Sequence, residues 1–318
     1  MLPQTQISKF IEVFMDYSRK TRTLRKKGKW TGFFYVLPWL IGFLVFQLYP
    51  FLASFFYSFT NYTLLNNPSY VGMKNYIRLF TIDKQFILSM KITGLYTIMA
   101  IPIKIAMALA IAMILNTKVK GIGIYRSLYY LPSILGGSVA VSVLWRVLFM
   151  HDGIINHKLS LFSIPAIDWL TNPHIALCTL SLLQVWQFGS AMVIFLAALK
   201  QIPKELYEAA EVDGASPWKR FWSITLPQVS SVLFFNLIMQ TIQALQNFTS
   251  AFVITNGGPM KKTYIIGMKL YDDAFKYYNV GYACAESWIL FLVILLLTLL
   301  VFKSSSAWVY YADEGTKK

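Results

Sequence analysis

Residues 201–228 read QIPKELYEAAEVDGASPWKRFWSITLPQ, and their polar first part separates two long uncharged runs, 169–199 and 221–260. Pro203 sits where the first turn of a helix tolerates proline. Glu205, Leu206, Glu208, Ala209, Ala210 and Glu211 suit a helix, and Gly214 supplies a stop. Ser216-Pro217 then has the N-cap and first-position arrangement of a new helix. The stretch therefore predicts a short helix, a glycine break, and a second helix that runs into the next apolar segment. Leu206, Ala210 and Asp213 fall on one face at i, i+4 and i+7. Small alanines let that face approach another surface closely, and a helix rigidly joined to an apolar one can transmit force.

The rest of the chain explains what the loop connects. Its 318 residues are 56% hydrophobic and 16% aromatic, yet only 14% charged, with 29 Lys+Arg against 14 Asp+Glu. A soluble domain carries about 25% charged residues. A nucleic-acid binder would be rich in charge and a disordered tail poor in aromatics, so both classes are excluded. An integral membrane protein with its charges at ends and loops fits the numbers. The two cysteines, Cys178 and Cys284, lie inside apolar runs and make no CxxC or Cys/His cluster. His151, His157 and His174 lack carboxylates at ligand spacing, so no metal or other cofactor is expected in this chain.

A spanning helix needs about 20 mostly apolar residues. Six such segments are expected, near 32–56, 88–115, 126–149, within 169–199, within 221–260 and near 282–302. The first is too long, and lacks the small-residue cleavage site, to be a signal peptide. Six spans put both termini on one side. Eight basic residues precede the first span, from Lys9 to Lys29, and Lys118, Lys120 and Arg126 lie between spans two and three. Lys200, Lys204, Lys219 and Arg220 follow span four, and Lys303, Lys317 and Lys318 follow span six. The opposite loops hold only eight, so the termini are expected to be cytoplasmic. Ile7, Phe10, Ile11, Phe14 and Tyr17 recur at helical spacing, which suggests an interfacial helix in the basic 1–30 segment. The six-helix domain is then 31–303, with the 200–227 loop inside it and a cytoplasmic tail at 304–318.

EAAEVDGASPWKRFWSITLP resembles the EAA motif of permease subunits of ABC importers, through Glu208-Ala209-Ala210, Asp213-Gly214-Ala215, Phe221, Ile224, Leu226 and Pro227. VLPWLIGFLVFQLYP (36–50), SLYYLPS (127–133), LWRVLF (144–149), IFLAALKQIPKELYEAA (194–210), VITNGGP (253–259) and VGYACAESWILF (280–291) are similar to the first permease of carbohydrate uptake systems. The chain departs from that pattern at Val229-Ser230-Ser231, where a proline is usual, and at Asn247-Phe248-Thr249-Ser250, where an acidic residue is usual. The resemblance implies an all-α, six-helix membrane protein with the type I ABC importer permease fold, in the cell membrane of a bacterium. It implies import of a sugar or oligosaccharide, with glycerol phosphate or another polar solute as the alternative cargo. The implied partners are a second homologous permease, two cytoplasmic ATPase subunits and an extracytoplasmic solute-binding protein, besides lipid and carbohydrate. ATP and Mg would belong to the ATPase, since no G-x-x-x-x-G-K-[ST] occurs here. The chain is therefore expected to be a transport subunit and no enzyme. Glu208, Ala209, Ala210, Asp213 and Gly214 are the implied ATPase-coupling residues. An ion-driven secondary carrier is the rival class, but such carriers show inverted repeats and buried acids. No repeat is visible, and Glu286 is the one carboxylate well inside an expected span.

Polar residues in apolar spans mark candidate cargo contacts. Asn236, Gln240, Gln243 and Asn247 are spaced 4, 3 and 4 and share a helix face, with Gln246 nearby. They can form a hydrogen-bonding wall for sugar hydroxyls, with Trp186, Phe248 and Trp288 as aromatic platforms. The same stripe can equally act as amide glue between two permeases. Lys104 lies deep in span two, where a lysine costs roughly 2.5–3.5 kcal/mol. It can snorkel, pair with another subunit, or face a carboxylate on the cargo, which would point to acidic oligosaccharides. Glu286 is expected to make a local polar contact.

Overall fold

The computed structural model describes residues 33–117 and 119–310. The chain divides into two compact units, Met1–Tyr57 and Ser58–Lys318. The first is represented by helix α1 (Phe33–Ser58), 26 residues long. Its fourth turn widens into a π-helix at Leu44–Leu48, where the Tyr49 N–H bonds five residues back to Leu44. Pro50 follows at once and has no N–H to offer, so the ladder loosens just ahead of it. The interfacial helix expected over 1–30 lies outside the described residues.

The second unit contains α2 (Lys74–Thr81), α3 (Lys84–Leu115), α4 (Ile122–Leu135), α5 (Val139–Leu148), α6 (Ile154–Ser160), α7 (Ala176–Trp186) and α8 (Gly189–Gln201). It continues with α9 (Lys204–Val212), α10 (Pro217–Gln228), α11 (Ser230–Leu245), α12 (Thr249–Ile254), α13 (Ile266–Tyr271) and α14 (Val280–Ser305). No strand occurs among the described residues beyond two isolated bridges, Thr60 to Tyr70 and Thr63 to Asn66.

Helix α3 is the axis of this unit and packs against α7, α8 and α11. Asp83 caps it by accepting from the Gln85 and Phe86 N–H groups at 3.0 and 2.9 Å. Ser89, Thr93 and Thr97 turn their hydroxyls back onto carbonyls three or four residues earlier, which satisfies them inside an apolar bundle. Ala100, Ala108, Ala112, Ala191 and Ala244 are fully buried at the contacts. In a bilayer, helix association depends on this close packing of small residues rather than on water exclusion.

Among the described residues three helices, α1, α3 and α14, are long and apolar enough to cross a membrane, and up to six spans result if each bent pair counts as one. The bent pairs are α4–α5 (102°), α7–α8 (43°) and α10–α11 (67°). Continuous hydropathy predicts the segments but conceals these bends, because interruptions of one to three residues leave the average nearly unchanged. Past α14 the chain returns, with the Tyr310 N–H donating to Ser230 Oγ at 2.8 Å and Trp308 packing against Phe234. Residues 304–310 thus hold to the helical domain, and 311–318 lie outside the described residues.

Candidate functional site

Three helix interruptions surround one cavity of about 250 Å³. Gly136 and Gly137, between α4 and α5, form one wall; Gln184, Gln187 and Ser142 extend it. Gln187 lies between α7 and α8, and Gln246, Asn247 and Phe248 lie between α11 and α12. Gln243, Thr249 and Ser250 complete the lining, which contains no charged side chain. Backbone freed from helical bonding is tolerated inside a membrane domain only where it meets protein or a wet cavity. Here the breaks hold one another. Gln187 Nε2 donates to the Gly136 carbonyl at 2.8 Å, and its side chain fills the place a Cβ on residue 136 would take. Ser133 Oγ donates to the Gln187 carbonyl at 3.0 Å and accepts from the Ser190 N–H at 2.9 Å. Asn247 is fixed through Nδ2 donating to Tyr96 Oη (2.8 Å) and Oδ1 accepting from Ser250 Oγ (2.8 Å). The cavity therefore offers fixed amides, each with donor and acceptor capacity, and one aromatic face from Phe248.

The amide stripe read from the sequence divides. Gln243 and Asn247 line the cavity. Asn236 and Gln240 do not: they are 1% and 3% exposed, and Asn236 Oδ1 and Gln240 Oε1 have no hydrogen-bond partner among the described residues. Trp186 stands beside the cavity as the neighbour of Gln187, whereas Trp288 lies half-buried on α14, away from the lining. Lys104 is 2% exposed on α3 and is likewise outside the lining. Gln184, Gln187, Ser142 and the Gly136-Gly137 pair were missed. Polar residues in spans three and four were the available signal.

At the far end of α8 the 201–228 loop has the geometry expected of it. Helix α9 closes with Gly214 at φ +70°, the Ala215 N–H donating to the Ala210 carbonyl at 2.9 Å and the Gly214 N–H to the Glu211 carbonyl at 3.0 Å. This paired closure needs a left-handed residue, which glycine supplies without strain. Ser216 Oγ caps α10 by accepting from the Lys219 N–H, with Pro217 at the first position. Tyr207 and Thr225 hydroxyls meet at 2.9 Å, which ties α9 to α10. On the outward side Leu206, Glu208, Ala209 and Val212 are exposed, Val212 at 89%. Asp213 and Gly214 are exposed beside them.

A different polar group lies at the end of the bundle away from α9. Lys269 Nζ sits 2.8 Å from Asp83 Oδ2, 2.6 Å from Asp273 Oδ2 and 2.7 Å from Glu286 Oε1. Tyr282 Oη also donates to Asp83 Oδ2 at 2.8 Å. Burial acts to raise the Asp83 carboxyl, but Lys269, the Phe86 N–H and Tyr282 outweigh it and hold it below the usual carboxylate range. Burial acts to lower the Lys269 ammonium, and its three carboxylates more than reverse that. The local contact expected of Glu286 is therefore an ion pair that joins α14 to α13 and the start of α3. Glu286 is 0% exposed, and its Oε2 has no donor.

Residues 93–318 match the family described as binding-protein-dependent transport system inner membrane component. The chain belongs to that family. Similar members include the probable ABC transporter permease protein YesP of Bacillus subtilis, 46% identical over 94% of this chain and 97% of that protein. The trehalose/maltose transport system permease protein MalF of Thermococcus litoralis is 32% identical over 84% and 89%. The lactose transport system permease protein LacF of Rhizobium radiobacter is 33% identical over 85% and 92%. A chain of the bacterial alginate ABC transporter, in complex with alginate pentasaccharide-bound periplasmic protein, shares the fold with TM-score 0.76 and 22% identity over 88% and 95%. The fold is thus that of a type I ABC importer permease. As a member of this inner membrane component family, the chain is a transport subunit rather than an enzyme.

Proposed function

We propose that this permease imports a sugar or oligosaccharide across a bacterial cell membrane, with six spans and both termini in the cytoplasm. The cavity of Gln184, Gln187, Gln243, Gln246 and Asn247 is its cargo site. The carrying observation is that three helix breaks converge on a cavity lined by amides and hydroxyls, without a charge. Such a lining suits hydroxyl-rich cargo and gives nothing to a glycerol phosphate dianion. Relatives named for trehalose/maltose and lactose transport support the same class.

The energy arrives elsewhere. The exposed face of α9, with Glu208, Ala209, Ala210, Asp213 and Gly214, docks on a cytoplasmic ATPase that holds ATP and Mg. Its closure turns α9, and the Tyr207–Thr225 tie passes that motion through α10 into α11, which carries Gln243. A second, homologous permease and a second ATPase complete the complex, and an extracytoplasmic binding protein delivers the cargo. In the finer form of the reading the cargo is acidic. Lys104 suggested that form, and since the cavity itself holds no cation, a carboxylate has to be met elsewhere on the path.

The test is reconstitution of the full complex in proteoliposomes with its binding protein. ATP-dependent uptake of a neutral or acidic saccharide is expected; uptake driven by a proton or sodium gradient without ATP would sink the reading. Gly214→Val should reduce uptake to background while leaving insertion intact, because a β-branched residue resists φ +70°.

A further inference from the structure

A second cavity, of about 310 Å³, lies beyond the first along the same two helices. Helix α5 contributes Ser142 to the first cavity and, one turn later, Arg146 to the second. Helix α12 contributes Ser250 to the first and Ile254 to the second. The second cavity is closed by the segment before α7, so it stands at the end of the bundle opposite α9. Its volume falls at the lower end of the range for small-molecule sites.

Aromatic rings connect the two. Trp186, next to Gln187, has its ring centroid 5.9 Å from Trp145; Trp145 is 4.9 Å from Phe149, and Phe149 is 5.6 Å from Trp169. Phe149 and Trp169 line the second cavity. Trp169 is held rigidly by Asn156, which uses its whole hydrogen-bonding capacity on this loop. Asn156 Nδ2 donates to the His151 and Ile167 carbonyls at 2.9 and 2.8 Å. Its Oδ1 accepts from the Ile167 N–H at 3.1 Å and from Trp169 Nε1 at 2.9 Å. A buried asparagine with every group satisfied fixes both the indole and the loop that presents it.

The charges in this cavity are unequal in their commitments. Asp168 Oδ1 lies 2.9 Å from His151 Nδ1, so each has a partner. Arg146 is exposed, and its guanidinium makes only a 3.5 Å contact with the Val253 carbonyl. Among the described residues no carboxylate reaches it. A planar fork of donors beside a fixed indole matches the two parts of a uronate sugar, a carboxylate and an apolar ring face.

We propose that this cavity is the first contact subsite for a carboxylated saccharide, Arg146 taking the carboxylate and Trp169 the sugar face, with the aromatic series leading toward the amide cavity. The assignment rests on the permease reading above.

The experiment uses the assembled transporter in nanodiscs, without binding protein. Binding of a panel of uronate trisaccharides, alginate trisaccharide among them, is measured beside their carboxyl-reduced neutral forms. At least one uronate should bind about 10- to 100-fold more tightly than its reduced form, the range for hydrogen bonds to charged groups. Arg146→Gln should abolish that ratio and leave the reduced form unchanged. Arg146→Lys should keep part of it, and Trp169→Leu should weaken both forms. A panel without carboxylate preference, or a preference that survives Arg146→Gln, overturns the proposal. In a parallel titration with the binding protein added, an Arg146→Gln effect confined to its docking overturns it too. ATP-dependent uptake by the parent complex is recorded separately. Its absence for every saccharide counts against the permease reading, whereas uptake independent of Arg146 counts against this subsite alone.

Discussion

The amide cavity and the Lys269 cluster are both polar places in an apolar bundle, and they are built on opposite principles. The cavity has no charge; Gln187 is anchored to the Gly136 carbonyl and Asn247 to the Tyr96 and Ser250 hydroxyls, and their remaining lone pairs and protons stay available. The cluster places one ammonium among three carboxylates, nearly all of it buried, and ties α3, α13 and α14 together. Neutral dipoles can exchange partners at small cost as cargo enters and leaves. Buried charges cannot, because separating them exposes each to a large desolvation penalty. A transporter needs both kinds of polarity, one where things change and one where they must not.

The largest expected effect tests the rigid member. Lys269→Met leaves three carboxylates without their cation and should cost about 3–5 kcal/mol, the range for breaking a buried pair. Thermal unfolding of the purified complex would read it as failed assembly or a much lower midpoint. Glu286→Gln discriminates further: the cluster has two negative charges in excess, and Oε2 has no donor. Removing that charge should hold or raise the midpoint, and a loss as large as that of Lys269→Met would mean that Glu286 is fully compensated.

The adaptable member should respond differently. Gln243→Leu combined with Gln246→Leu removes two lining amides and should raise the KM of uptake by about 30-fold, at roughly 1 kcal/mol per hydrogen bond. Its unfolding midpoint should barely move. If assembly fails while KM is unchanged, the stripe is intersubunit glue and the contrast collapses. Gln240→Leu, behind the lining, should affect cargo less than either.

The smallest effect concerns acid. Because the folded structure holds Asp83 below the usual carboxylate range, its stabilising contribution is complete above that range and is lost as pH falls through the folded value. Hydrogen exchange at the start of α3 should therefore stay slow at neutral pH and accelerate only in strong acid. Asp83→Asn should remove that step.

Sequence reasoning reached the α9–α10 loop almost residue by residue, because its helix stop, cap and proline are local signals carried by Gly214, Ser216 and Pro217. It reached the six apolar segments through hydropathy. It found Gln243 and Asn247 through helical spacing, but it could not separate them from Asn236 and Gln240, since the division depends on which neighbours pack alongside. The partners of Glu286 were invisible for the same reason: Asp83, Lys269 and Glu286 are brought together by tertiary packing across about 200 residues of chain. The bends escaped notice because interruptions of one to three residues do not disturb an averaged hydropathy.

Those interruptions have a mechanical consequence. The breaks at 136–138, 187–188 and 246–248 all open onto one cavity, while α3 and α14 run on unbroken beside them. A continuous helix such as α3 transmits a rotation along its whole length, whereas the interrupted pairs can bend where they meet the cavity. Fewer helical hydrogen bonds oppose bending there than in a continuous helix, although the Gln246 N–H still reaches the Ile242 carbonyl at 3.2 Å. The walls of the cavity are then also the places that bend, and any bending there reshapes it.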